Sequence, residues 1–318
     1  MTVRRPDFFI VGAPKSGTTS LHAYLNEHPD VFLPARKEPH YFCPDLYSPR
    51  YVHDETTYLS LFRPGAEAQR AGEASVYYLY SREAAARIKA FNPDARIIIM
   101  LRRPTDMIYS LHSQRLYSGH EDLEDFAAAL AAEPERRRGR RLPPNPYPIE
   151  CLFYREIGRY AEQVRRYLET FDRSRVHVII FDEFAADTAG AYAATCRFLG
   201  LDPSPRARFT VHKENKQIRS PFVRNVMKFS PGVRTIVRTL APPSLRRRLG
   251  QAVIRLNSRS VARPVLAADL RRTLDAEFAP DVERLAALLG RDLSLWTLEP
   301  GTREHGNAET RTGSRRVT

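Results

Sequence analysis

Phe8-Phe9-Ile10-Val11-Gly12-Ala13-Pro14-Lys15-Ser16-Gly17-Thr18-Thr19-Ser20-Leu21 passes from an apolar strand, through a glycine-bounded turn with one lysine, into the hydroxyl-rich start of a helix. The first N–H groups of a helix lack intrahelical partners, and the helix dipole places positive potential at the same end. Those amides, the hydroxyls of Thr18 and Thr19 and the Lys15 ammonium converge on one small volume, which suits a phosphate or sulfate. The ordinary nucleoside-triphosphate loop, G-x-x-x-x-G-K-[ST], sets its lysine directly after the second glycine. Here Thr18 stands in that place and Lys15 precedes Gly17, so the charge approaches from the turn. A plain helix N-terminus, capped by its own hydroxyls, would use the same residue types.

Working outward, strands and helices alternate. A helix is predicted over about residues 18–28 and a short strand at 31–33, then an aromatic-rich loop and a helix near 81–91. Ile97-Ile98-Ile99-Met100 reads as a buried parallel strand, followed by a helix at 105–117 and an acidic helical piece at 121–132. The basic, proline-rich stretch 133–148 reads as a mobile loop, and a long amphipathic helix at 154–171 leads into the strand 176–181 and a helix at 188–199. Beyond Lys213 the chain reads as helical and basic, broken at Pro242-Pro243, with a helix at 265–289 and Trp296 packing back on the body. The alternation predicts an α/β fold, a phosphate-loop-like parallel sheet flanked by helices with a helical basic C-terminal part. We expect one domain over residues 1–300 and a disordered tail at 301–318.

Composition supports a packed enzyme-sized domain, with 318 residues of which 42% are hydrophobic. The first strand starts within about seven residues and no apolar run approaches the roughly 20 residues of a membrane span, so the expected location is cytoplasmic. Cys43, Cys151 and Cys196 show no metal-type spacing and read as core thiols. The net charge of +13 is concentrated: between Lys213 and Arg263 thirteen lysines and arginines stand against Glu214 alone. Such a field could attract an acidic polymer or an anionic membrane surface, or could be a solvated face. Nucleic acid is disfavoured, because no aromatic platform accompanies the charge.

A second anion site is readable where the strand at 97–100 ends in Arg102-Arg103-Pro104 rather than in a metal-binding aspartate. Pro14-Lys15-Ser16-Gly17-Thr18-Thr19 together with Arg102 and Ser110 resembles the sulfotransferases that use 3′-phosphoadenosine 5′-phosphosulfate (PAPS), whose elements are P-K-[ST]-G-T-[ST] and R-x-P-x-x-R-x-x-S. The resemblance implies that residues 14–20, from Pro14 to Ser20, hold the 5′-phosphosulfate and that Arg102 and Ser110 hold the 3′-phosphate. Met107 stands where the family has its middle arginine, leaving Arg103 or a later residue to compensate.

Arg36-Lys37-Glu38-Pro39-His40-Tyr41-Phe42 resembles the K-E-P-x-[FY]-F element of the sulfotransferases related to the heparan sulfate enzymes, in which the glutamate is the base on the acceptor hydroxyl. Glu38 takes that position, and a carboxylate within hydrogen-bond reach suits the task. His40 is the reserve base. His22 and His112 also lie in motif regions, and a lone helical histidine is more often a satisfied polar group. Gly72-Glu73-Ala74-Ser75 resembles the family's G-E-K-[ST], with Ala74 in place of lysine, while Lys216 and Arg219 fall where relatives close a basic loop over the nucleotide. The resemblance implies in-line sulfuryl transfer from PAPS to a hydroxyl, or secondarily an amine, of a carbohydrate, glycolipid or secondary-metabolite acceptor. Lys15 serves the leaving phosphate, and no metal is required. Two alternatives stay open: a phosphate-loop kinase, supported by the acidic strand end Phe181-Asp182-Glu183, and a non-catalytic binder of acidic polymers through residues 213–263.

Overall fold

The computed structural model describes residues 4–65, 67–144, 148–205, 207–209, 216–218, 258–260 and 263–297. Strands β1 (Phe8–Gly12), β2 (Val31–Phe32), β3 (Arg70–Ala74), β4 (Arg96–Leu101) and β5 (Val176–Ile180) form a sheet in the order β2-β3-β1-β4-β5, with every pairing parallel. Its strands alternate between two buried faces. Phe9, Val11, Ile97, Ile99, Leu101, Val176 and Val178 enter one core, and Phe8, Ile10, Ile98, Met100 and Ile179 enter the other. Burial on both faces explains why β4 is apolar without a break from Ile97 to Leu101.

Helices cover both faces: α1 (Thr18–Leu25), α2 (Glu55–Ser60), α3 (Ala84–Phe91), α4 (Pro104–Ser118), α5 (Phe126–Ala131), α6 (Glu133–Arg137), α7 (Tyr154–Gly158), α8 (Tyr160–Thr170), α9 (Phe181–Ala186), α10 (Thr188–Leu199) and α11 (Ala268–Leu289). Leu21, Tyr24 and Leu25 of α1 share a core with Tyr192, Cys196 and Leu199 of α10, whereas α3, α4, α8 and α11 pack on the opposite face. A short antiparallel pair joins β6 (Lys216–Ile218) to β7 (Ser258–Ser260), with Lys216 opposite Ser260.

Several elements differ from the sequence expectation, β6 and β7 among them, which form a strand pair where the sequence reads as helical. The strand β3, Arg-Ala-Gly-Glu-Ala, carries no β-branched residue and was not anticipated; it is held by position, since a Cβ on Gly72 would lie 2.0 Å from the Phe8 ring. The helix expected over 154–171 is two helices, parted at Arg159, whose backbone is extended. Gln163 Nε2 caps the break by donating to the carbonyls of Glu156, Ile157 and Arg159 at 3.0, 3.2 and 2.7 Å. The stretch expected as a mobile loop at 133–148 begins as α6, and its Arg136 is fully buried, donating to both oxygens of Glu121 at 2.8 and 2.6 Å.

The C-terminal helix is clasped to the start of α4. Arg103 Nη2 and the Thr105 hydroxyl donate to Asp275 at 2.6 and 2.7 Å, and Arg271 pairs with Asp106 at 2.9 Å. Trp296 is buried as expected, its indole N–H donating to Asp182 at 3.3 Å. Cys43, Cys151 and Cys196 are buried free thiols, and burial pushes the Cys151 thiol up to about 11. Among the described residues no helix is long and apolar enough to cross a membrane. The expected tail at 301–318 and most of the basic segment 213–263 lie outside the described residues.

Candidate active site

The carboxyl end of β1 lies where successive connections leave in opposite directions, toward β3 on one side and β4 on the other, which is where open parallel sheets bind ligands. Residues 13–17 form the loop there. Gly17 has φ +89°, and a Cβ on it would meet Met100 Cε and Phe181 Cδ2 at 3.2 Å, so the loop is pressed onto the ends of β4 and β5. Gly17 is also the N-cap of α1 and supplies no side-chain cap, so the hydroxyl-capping account of this sequence is not what the fold adopts. Ser16 is buried and bonds back to the Pro14 carbonyl at 3.3 Å; Thr18 is buried; Thr19 Oγ1 accepts from Lys37 Nζ at 2.8 Å.

Only four described residues other than glycine have positive φ, and three of them are Lys15 (60°), Glu38 (59°) and His40 (53°). Such backbone is uncommon for side-chain-bearing residues and collects at functional sites, where the surroundings impose it. It falls here on the three residues that the sequence singles out as catalytic.

The second anion grip is assembled from both ends of the chain. Arg102, at the end of β4, lays its guanidinium 4.6 Å from the Phe181 ring and points Nη1 at the Lys15 carbonyl, 3.5 Å away. One helical stretch on, Ser110 is buried in α4 and its Oγ accepts from Arg263 Nη2 at 2.8 Å. Burial, and then the nearby Arg102 charge, hold Arg263 below the usual arginine range. Two guanidiniums that repel one another, one of them bonded to a buried hydroxyl, are chemically suited to a multiply charged anion. Sequence reading missed Arg263, which appeared there as one charge in a basic run. Arg103, a residue expected to compensate for Met107, is paired with Asp275 at 2.6 Å, and Met107 itself is buried in the core. Lys216 lies in β6, its backbone opposite Ser260 of β7; Arg219 lies outside the described residues.

On the acceptor side, Glu38 N donates to the Ala74 carbonyl at 3.0 Å and His40 N donates to Ser75 Oγ at 3.1 Å, which pins the 38–40 turn to the end of β3. Ser75 Oγ donates in turn to Glu73 Oε1 at 2.5 Å, and Tyr58 and Tyr78 donate to Glu73 Oε2 at 2.6 and 3.2 Å. Burial pushes the Glu73 carboxyl up to about 7, against the lowering effect of those three donors. The His40 side chain is sealed from solvent, 4.3 Å from the Tyr51 ring, and burial holds it below the ordinary histidine range despite Glu38 at 3.7 Å. The Glu38 side chain is 33% exposed, so of the two candidate bases it is the one an acceptor can touch.

The other histidines are accounted for structurally. Burial, then the Lys37 charge, lowers His22 to about 4, and His112 meets the Leu123 carbonyl at 2.8 Å. Asp182 and Glu183, the acidic strand end behind the kinase alternative, tether Trp296 and Arg291.

Comparison with known proteins agrees with this geometry. A family model described as "Sulfotransferase domain" matches residues 5–236. The chain is 30% identical over 201 residues to human heparan sulfate glucosamine 3-O-sulfotransferase 6, covering 62% of this chain and 53% of the relative. It is 25% identical over 297 residues to human carbohydrate sulfotransferase 15, covering 75% and 52%. The chain thus spans about half the length of these relatives. A crystal structure of a sulfotransferase from Alicyclobacillus acidocaldarius superposes with a TM-score of 0.70 at 34% identity, covering 92% of this chain and 99% of that one.

Proposed function

The chain belongs to the sulfotransferase domain family, and on that premise we propose that it transfers a sulfuryl group from PAPS to a hydroxyl of a saccharide-type acceptor. The observation that carries the donor assignment is the junction at Arg102. Its charge is felt by Arg263, which bonds Ser110, and the Arg102 Nη1 reaches the Lys15 carbonyl at 3.5 Å. Two linked grips of this kind suit a nucleotide with phosphates at two separate positions. The acceptor class is supported by the heparan sulfate and carbohydrate enzymes among the relatives.

In this reading the loop amides of residues 16–19 and the Thr18 and Thr19 hydroxyls hold the 5′-phosphate. Arg102, Ser110 and Arg263 hold the 3′-phosphate. Glu38 takes the proton of the acceptor hydroxyl as the new S–O bond forms, and the old S–O bond breaks with its electron pair passing to the 5′-phosphate. Lys15 stabilises the charge that appears there, a case of preorganised electrostatics and positioning. His40, sealed from solvent, takes no part in this proton transfer. The products are the sulfated acceptor and adenosine 3′,5′-bisphosphate, so charge and atoms balance without a metal in the step.

Calorimetric titration with adenosine 3′,5′-bisphosphate, without added metal, tests the donor site. Binding by the wild type that weakens in both Lys15→Ala and Arg102→Ala is the expected result. Absence of binding by the wild type would withdraw the assignment.

A further inference from the structure

Lysine side chains at a protein surface usually keep their ammonium in water, but Lys37 spends its charge between the two halves of the site. Its Nζ donates to Thr19 Oγ1 on the donor loop at 2.8 Å and lies 3.9 Å from Glu38 Oε1, the acceptor base. The lysine side chain is 21% exposed and that of Glu38 is 33% exposed, so a ligand can reach both. The backbone fixes this placement: Glu38 N is bonded to the Ala74 carbonyl at 3.0 Å, and Ala74 offers no charge from the β3 side. Lys37 also bears on His22, one turn further along α1 from Thr19.

We infer that Lys37 is a catalytic residue that binds the oxygens of the sulfuryl group as it passes between the Thr19 hydroxyl and Glu38; this rests on the donor reading above. The division of labour follows from position. Lys15 sits in the turn under the leaving phosphate, whereas Lys37 borders the loop hydroxyl and the base, alongside the path of the group that moves. The sulfuryl oxygens carry negative charge in donor and product alike, so a cation there is used in binding as well as in transfer.

The test compares two nucleotides that differ only in the sulfuryl group. PAPS and adenosine 3′,5′-bisphosphate are titrated into wild type, Lys37→Met and Lys37→Arg by calorimetry, with melting temperatures measured alongside. Loss of one charge-assisted contact should weaken PAPS binding to Lys37→Met about tenfold or more while the bisphosphate changes less than about twofold. Lys37→Arg should retain most of the PAPS affinity. Equal loss for both nucleotides would make Lys37 a phosphate or loop-supporting residue and overturn the inference, as would no loss for either. If Lys37→Met does not fold, Lys37→Gln takes its place in the same comparison. Failure of the wild type to bind the bisphosphate is a separate result, which removes the donor reading itself.

Discussion

The guanidinium of Arg263 meets the hydroxyl of Ser110 at 2.8 Å, joining residues 153 positions apart at a place where Arg102 adds a second positive charge. Each partner should therefore matter to the same phosphate. Arg263→Ala and Arg102→Ala should each weaken adenosine 3′,5′-bisphosphate binding by about 2 kcal/mol, the scale of a hydrogen bond to a charged group. Relief of the repulsion between the two guanidiniums predicts that the double variant loses less than the sum. A calorimetric double-mutant cycle measures that difference.

On the proposed mechanism Lys15→Ala removes the cation that stabilises the departing phosphate. By comparison with the loss of one oxyanion donor, turnover should fall by about 3 kcal/mol, or on the order of 100-fold. Steady-state rates with a saccharide acceptor check it; an undiminished rate would show that the leaving group is stabilised elsewhere.

Glu73 sets a pH dependence of folding. Its carboxyl titrates near 4.5 in the unfolded chain and near about 7 in the folded protein. Between these values the folded state holds a proton that the unfolded state has released, so stability falls as pH rises through this window. The contribution is on the order of 3 kcal/mol across the window. Melting temperatures of wild type and Glu73→Gln between pH 4.5 and 8 should show a steeper decline in the wild type, whatever the offset between the two proteins.

Glu121 and Arg136 are both completely buried and doubly bonded, with Tyr154 donating to Glu121 at 2.9 Å. Removing one partner strands the other charge. Arg136→Met should cost about 3–5 kcal/mol in chemical denaturation, and adding Glu121→Gln should recover part of it.

What could be read in the sequence was what local chemistry determines. The apolar run of β4 needs burial on both sides, and the turn from Pro14 to Thr19 carries its lysine and glycine in a pattern that constrains the backbone directly. Glu38 and His40 were legible for the same reason, as neighbours in one short segment. β3 was not, because its five residues have no strand character of their own and are fixed by the Phe8 ring over Gly72. Nor was the role of Arg136, since an arginine in a basic, proline-rich stretch looks solvated until its carboxylate is found on another segment. Arg263 failed to stand out because nothing near it in the chain records Ser110.

The clasp between Arg103 and Asp275 draws together segments far apart in the sequence. The loop after β1, the Glu38 turn and Arg102 all lie in the first third of the sequence, whereas Arg263 and the helix that carries Asp275 lie far beyond them. On the proposed function a nucleotide with two phosphates bridges these distant segments, from the loop after β1 to Arg263 just ahead of α11. Binding should therefore report on the completeness of the chain: a fragment ending before Arg263 keeps every early motif and still lacks the means to hold both phosphates.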